Sequence, residues 1–373
     1  MNFVDYRGLD QKIGEISIST QLNILFYINP QNLLEEKKRF FEEIQKGNEY
    51  NPFFTYPSKN PLFSYFSMKP IFETYKQELK ELLQSVGNDN LGLLCENKIL
   101  DILESIELVK SIGTSNFDEN SKQFYGSVDN KLLKLAKEQV EKEILPLKSE
   151  KVSFDTAITM IKNFLKNKKL NYKMEFRESA GSMFAVNSRE GILYINKDLV
   201  FNKDLVKRFI AHEIETHIYR YENGFSQPYS MFSQGTSKNM LETEEGLAVN
   251  VELLKGLEVD NSLKQYAGRV LAIHYASKES FFQTFLKLKE FFSEEDAFTL
   301  TLRAKRGTFK TSEPGAFTKD MLYYRGMFLV QDFLKNHPIE DLYYGKYSVS
   351  DIHLVKGVDG LKKPKFLPDL PKI

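Results

Sequence analysis

The chain of 373 residues has no tryptophan, one cysteine and only five histidines. A single cysteine, Cys95, excludes an internal disulfide. It sits in the apolar run Leu93-Leu94-Cys95, which reads as core rather than as a nucleophile. No apolar run approaches the ~20 residues a membrane-spanning helix needs. The opening Met1-Asn2-Phe3-Val4-Asp5-Tyr6-Arg7 lacks the basic-then-apolar pattern of a signal peptide. These absences predict a cytoplasmic protein with no membrane partner. Charge of one sign is also lacking, since Lys+Arg and Asp+Glu each number 51. Nothing in that balance attracts a polyanion, so nucleic acid is not an expected partner. The short basic run Lys362-Lys363-Pro364-Lys365 reads as a solvated tail.

Aromatic rings, by contrast, are plentiful: 30 Phe and 19 Tyr, most of them expected in the core and a few lining a pocket. A chain this long buries one large core or two smaller ones. The predicted class is α+β, mainly helical, with a small mixed sheet next to a metal-binding helix. Residues 1–150 read as an N-terminal helical region packed on a catalytic region, 151–373. In the first, Tyr50 to Pro57 reads as an extended segment that pins rings onto a helical body. Apolar residues at Phe72, Tyr75, Leu79, Leu82 and Val86 predict a helix closed by Gly87, and Ile99, Ile102, Ile106 and Val109 predict another before Gly113. A third covers about Asp129 to Ile144 and stops near Pro146. These amphipathic helices are expected to pack as a layer. In the second region a helix over Phe154 to Leu165 leads into three short apolar runs, Met174 to Phe176, Met183 to Val186 and Ile192 to Ile195, which read as a sheet. Asn202 is placed to cap the next helix, which ends near Asn223-Gly224; another runs from Glu242 to Leu254. The chain is then helical to Leu334 with a break at Gly307 to Gly315, and its proline-rich tail after Gly357 is expected to wrap the surface.

Two of the five histidines lie in His212-Glu213-Ile214-Glu215-Thr216-His217, on the helix after the sheet. A hydrolytic zinc site needs three protein ligands, an open position for water and a nearby base. His212, His217 and Glu245 are the candidate ligands of one Zn2+ ion, and Glu213 is the candidate base that takes a proton from the bound water and passes it to the leaving amine. The histidines are five apart, where the familiar zinc helix has four. On a regular α-helix that sets them about 140° apart. A π-type turn brings them within about 50°. The sequence therefore predicts a π-bulge or comparable distortion between His212 and His217. Gly246 beside Glu245 predicts a close approach of that helix to another.

These residues carry a family resemblance. His212-Glu213-Ile214-x-Thr216-His217, Tyr219-Arg220-x-x-Asn223-Gly224, Gln227-Pro228 and Glu242-Thr243-x-Glu245-Gly246-Leu247-Ala248 resemble the tyrosine carboxypeptidase family of zinc peptidases. That family includes eukaryotic microtubule-associated members and bacterial proteins labelled flavohaemoglobin expression-modulating QEGLA-motif proteins. Further motifs extend the resemblance: Glu107-Leu108-x-x-Ser111-Ile112-Gly113, Ser121-x-x-x-Tyr125-Gly126, Arg303-x-x-Arg306-Gly307 and Phe317-Thr318-Lys319-Asp320-x-x-Tyr323-x-x-Gly326. It implies a zinc-dependent carboxypeptidase that removes a C-terminal tyrosine, or a similar aromatic residue, from a peptide or protein. Two positions depart from the pattern. Glu215 stands where the family usually has Gly, and Glu244 where bacterial members usually have Gln. Each is expected to add negative charge near the metal, and glutamate eases a bulge less than glycine does.

A carboxypeptidase must receive a terminal carboxylate, which guanidinium does best. Arg303, Arg306 and Lys319 are the candidates, although arginines three apart also fit one charged helix face. Tyr323 or Tyr324 is the candidate oxyanion donor. His274 reads as a buried structural residue before it reads as a donor, and His337 and His353 read as structural or exposed. Either Ile192 to Ile195 or Met183 to Val186 is the expected sheet edge for substrate strand addition. The loop Phe225 to Met240 reads as a cleft wall or a plain connection. Two other readings stay open at this point. One is a regulatory protein with a structural metal closed by Glu215 or Glu244 as fourth ligand; the other is an endopeptidase or aminopeptidase.

Overall fold

The structure, a computed structural model, describes residues 4–19, 24–56, 65–143, 149–177, 184–257 and 262–371. It is mainly helical with one small mixed sheet, the class the sequence predicts. The predicted helix end near Ile144 to Pro146 and the residues Pro57 and Met183 lie outside the described residues. The chain divides into two units, Met1–Lys142 with Leu263–Tyr324, and Glu143–Ser262 with Arg325–Ile373.

In the first unit the amphipathic stripes become helices Tyr65–Leu83, Asn90–Lys110 and Asn130–Val140. Asp89 and Asp129 cap the second and third by accepting from the backbone N–H groups of Gly92 and Leu132. The first ends at Leu83, four residues ahead of the predicted Gly87. Cys95 is fully buried, as its apolar run implies. The aromatic surplus is spent on ring-on-ring packing: Phe40 meets Phe281, Phe285 and Phe298 at centroid distances of 5.3, 4.9 and 5.2 Å. The extended segment does pin rings. Phe54 and Tyr56 are buried, and the Tyr56 hydroxyl accepts from the Gly307 N–H at 2.8 Å.

The second unit carries the sheet. Strands β1 (Lys173–Arg177), β2 (Phe184–Asn187) and β3 (Ile192–Asn196) lie in the order β1-β3-β2, with β1 parallel and β2 antiparallel to β3. The run Ile192 to Ile195 is therefore the central strand and has no edge to offer. This corrects one of the two predicted edges; β2 is an edge. Leu193 and Ile195 are buried in the core with no exposure, and Phe184 packs on Phe209 with ring centroids 4.3 Å apart.

A helical rod follows, formed by Lys203–Phe209, Ile210–Ile218 and Tyr219–Phe225 in unbroken succession, here termed the histidine helix. Asn202 caps it, its side chain accepting from the Leu205 N–H at 2.7 Å. The helix Met240–Leu254, termed the acidic helix, packs along it. The loop between them is held down by buried side chains and hydrogen bonds. Met231 and Phe232 are buried, and Thr236 and Ser237 donate to Asp351.

The tail is strapped to the histidine helix by residues four apart. Glu215 accepts from the Asp369 N–H at 3.0 Å, and Tyr219 packs on Phe366 at 5.2 Å. Asn223 accepts from the N–H groups of Lys365 and Phe366, both at 2.9 Å, and donates to the Phe366 carbonyl. Gln227 grips both backbone groups of Lys362. Asn223→Ala strands two tail donors and one acceptor, which is expected to cost about 1–3 kcal/mol. Urea unfolding together with limited proteolysis of the tail measures it. Wild-type stability with an equally protected tail contradicts the strap.

Candidate metal centre

The middle of the histidine helix, Ile210–Ile218, is a π-helix nine residues long. The odd histidine spacing thus resolves as the sequence predicts. The wider turn is visible in its hydrogen bonds. The Thr216 hydroxyl donates to the Ala211 carbonyl five residues back, and the Tyr219 N–H reaches the Ile214 carbonyl, also five back. The imidazoles of His212 and His217 consequently share a face, with ring centroids 5.0 Å apart.

Glu215 does not obstruct this turn. Its side chain has no exposure, pairs with the Lys255 ammonium and accepts from the Asp369 N–H, while its carbonyl accepts from Tyr343. A lysine and the tail neutralise it, so the expected extra charge at the metal is not delivered.

The acidic helix brings the third donor. His212 Nε2 stands 3.6 Å and His217 Nε2 3.8 Å from Glu245 Oε2. Among the described residues, His212, His217 and Glu245 form a group of three ligand atoms that could hold a metal ion. The fit is close. Donors bound tetrahedrally at about 2.0–2.1 Å from zinc stand about 3.4 Å from one another. Gly246, beside Glu245, lets the acidic helix touch the helix Leu322–Leu334: a Cβ built on Gly246 would lie 2.2 Å from the Gly326 backbone.

The other ring nitrogens are occupied by carboxylates. His212 Nδ1 meets Glu252 Oε1 at 2.5 Å, and Glu252 Oε2 accepts from Arg208 Nε at 2.7 Å. His217 Nδ1 meets Glu244 Oε1 at 2.9 Å; Lys346 reaches the same oxygen at 2.9 Å, and the fully buried Arg220 pairs with Oε2. Burial pushes both carboxyls up. For Glu244, Lys346 and Arg220 outweigh burial and hold it well below the ordinary carboxylate range. Arg208 and His212 lower Glu252 in the same way. Glu244 is thus committed to His217 and two cations, and Glu215 to Lys255. This removes both as fourth ligands and corrects the expected surplus charge of Glu244. Sequence reasoning missed Glu252, Arg208 and Lys346. A signal was present: Glu252 is the lone acid after Gly246-Leu247-Ala248-Val249-Asn250-Val251, seven residues or two turns past Glu245.

Glu213, next to His212 on the π-helix, is half-buried. Among the described residues no hydrogen bond or ion pair engages its carboxylate, unlike those of Glu215, Glu244 and Glu252.

The predicted carboxylate-binding residues lie in the first unit. Arg303 is on the helix Glu294–Lys305, and Arg306 lies just past its end in extended conformation. They are not a solvated helix face. Arg303 Nε meets Asp320 Oδ2 at 2.6 Å and Arg306 reaches it at 3.5 Å, with side-chain exposures of only 16% and 12%. Burial raises the Asp320 carboxyl, and Arg303 and Arg306 overcome it to hold the group strongly acidic. Lys319 lies over the Tyr323 ring at 5.6 Å, and that ring stacks on Tyr266 at 5.3 Å with Arg269 across its face at 4.4 Å. Tyr324 donates its hydroxyl to the Leu135 carbonyl at 3.1 Å. His274 is half-buried beside Lys278 rather than buried. His337 stacks on Phe333, and His353 is exposed.

Among the described residues, no helix is long and apolar enough to cross a membrane. Residues 38–372 match the family model described as microtubule-associated tyrosine carboxypeptidase. A human protein named putative tyrosine carboxypeptidase MATCAP2 is 32% identical over 171 residues, 43% of this chain and 32% of that protein. A rat protein named microtubule-associated tyrosine carboxypeptidase 1 is 33% identical over 175 residues, 44% of this chain and 36% of its own length. The chain thus spans about a third of the length of the curated relatives it matches. The match to the family model runs through nearly the whole sequence and includes every residue of the donor group, and on it the chain belongs to the microtubule-associated tyrosine carboxypeptidase family.

Proposed function

We propose that the chain is a zinc-dependent carboxypeptidase that removes an aromatic residue, Tyr or Phe, from the C-terminus of a peptide or protein. The observation that carries this reading is the donor triangle of His212, His217 and Glu245, with both Nδ1 atoms already engaged and only three members among the described residues. Catalytic zinc sites keep three protein ligands and an open position, whereas structural sites use four. The names of the relatives support the substrate class.

When bound, zinc supplies a water acidified to a pKa of about 7 and polarises the scissile carbonyl. Glu213 is the general base: it takes the proton of the attacking water and returns it to the leaving amine. Its lack of any competing partner among the described residues leaves it available for this. Tyr323 is the proposed oxyanion donor, and Arg303, Arg306 and Lys319 are proposed to receive the terminal carboxylate. The edge strand β2, packed on the histidine helix through Phe184 and Phe209, suits strand addition by the substrate backbone.

The test is to incubate the zinc-loaded chain with a peptide library varied at its last residue and to identify released products by mass. Single Tyr and Phe residues are expected. Internal fragments or N-terminal residues instead make it an endopeptidase or aminopeptidase, and no release at all leaves a binding protein.

A further inference from the structure

We propose that Glu252 with Arg208, and Glu244 with Arg220 and Lys346, are positioning residues that fix which ring nitrogen of each histidine donates and where the other is aimed. The proposal rests on the reading of His212, His217 and Glu245 as metal ligands.

The two arrangements mirror each other along a pair of antiparallel helices. Arg208 precedes His212 by four residues and Arg220 follows His217 by three, so each arginine comes from the same helix as the histidine it serves. Both acids come from the acidic helix, which also carries Glu245. Glu252 uses one oxygen for His212 Nδ1 and the other for Arg208. Glu244 gives Oε1 to His217 and Lys346, and Oε2 to Arg220. Both acids are nearly unexposed, at 2% and 3%.

An ionised carboxylate can only accept a hydrogen bond. Each Nδ1 is therefore the donor to its carboxylate, which leaves Nε2, on the side of Glu245, as the nitrogen each ring would offer a metal. That is the tautomer a metal needs. The arginines complete the arrangement by holding the second oxygen of each acid, so that the first stays turned toward its histidine. Arg220 is tied down further, donating to the carbonyls of Leu342, Gly345 and Tyr347. The motif residue Arg220 and the departing residue Glu244 thereby acquire a role: holding His217.

Glutamine cannot replace Glu252 without loss. It offers one carbonyl oxygen where two donors, His212 and Arg208, each need an acceptor. Mutations of such partners typically weaken metal binding by about 10- to 100-fold.

The experiment uses the full chain labelled with 15N-histidine, first free of metal and then titrated with Zn2+ against a competing chelator. The variants are Glu252→Gln, Glu252→Leu and His212→Gln. In the metal-free wild type, His212 and His217 are expected as Nδ1–H tautomers. Glu252→Gln is expected to disturb the tautomer of His212 alone and to weaken zinc binding about tenfold; Glu252→Leu, if it folds, weakens it by up to about 100-fold. A wild-type Nε2–H tautomer overturns the proposal. So does unchanged zinc affinity in Glu252→Gln while His212→Gln loses zinc. If His212→Gln binds zinc as tightly as wild type, the metal reading itself falls, and the metal-free tautomers still decide the positioning claim.

Discussion

Glu213→Gln is expected to keep its zinc and lose about 100- to 10,000-fold in the rate of aromatic residue release, the range a positioned general base supplies. The substitution preserves size and removes the carboxylate's charge together with its ability to accept a proton. The structure explains why this acid differs from its neighbours. Glu215 is neutralised by Lys255, Glu244 by Lys346 and Arg220, and Glu252 by Arg208. Among the described residues nothing comparable engages Glu213. Its replacement by Gln should therefore leave thermal stability nearly unchanged, since no partner is orphaned. The measurement pairs bound-zinc content with product release from a peptide ending in Tyr. Near-wild-type turnover in a zinc-loaded Gln variant would remove Glu213 from the mechanism, whatever becomes of the substrate assignment.

The π-helix was legible because chemistry constrained the sequence. Two histidines five apart meet one ion only if the turn widens, and the widening is local to nine residues. The close approach at Gly246 was legible for a related reason, since a glycine beside a ligand has few other uses. What stayed hidden were partners supplied from afar. Lys255, forty residues beyond Glu215, gives no signal of its own, and so the charge of Glu215 was expected to reach the metal. Asn223 and Gln227 read as motif positions, and Asn223 as a helix end, with no partner implied. Their actual partners are backbone groups of the tail, which carry no sequence signature. The strand order was hidden likewise: β3 comes last in sequence yet lies in the middle, because its parallel pairing with β1 is settled by the core beneath.

Gly246→Ala is expected to be strongly damaging for so small a substitution, costing about 3 kcal/mol or more. The new Cβ would lie 2.2 Å from both the carbonyl carbon and the oxygen of Gly326, and 2.7 Å from its Cα. All three are backbone atoms, so no side chain can swing aside. Gly326 is equally confined, its own Cβ falling 2.1 Å from the Glu242 carbonyl oxygen. The helices must separate by about 1 Å or more to reach ordinary contact. That separation works against the bonds that clamp them, in which Asn250 donates to the carbonyls of Gly246 and Met327 and Arg325 pairs with Glu242. Glu245 is the residue before the collision, and its carboxylate stands within 3.6 and 3.8 Å of the two imidazoles. A shift of that size is half a metal–ligand bond length. Zinc affinity should therefore fall along with stability, by about tenfold or more. Gly326→Ala reaches the same interface from the opposite helix and should reproduce both losses. Denaturant unfolding and zinc titration of the two variants measure them. If both keep wild-type zinc affinity while stability drops, the acidic helix yields by bending beyond Glu245, and the glycine contact serves packing rather than the placement of the third ligand.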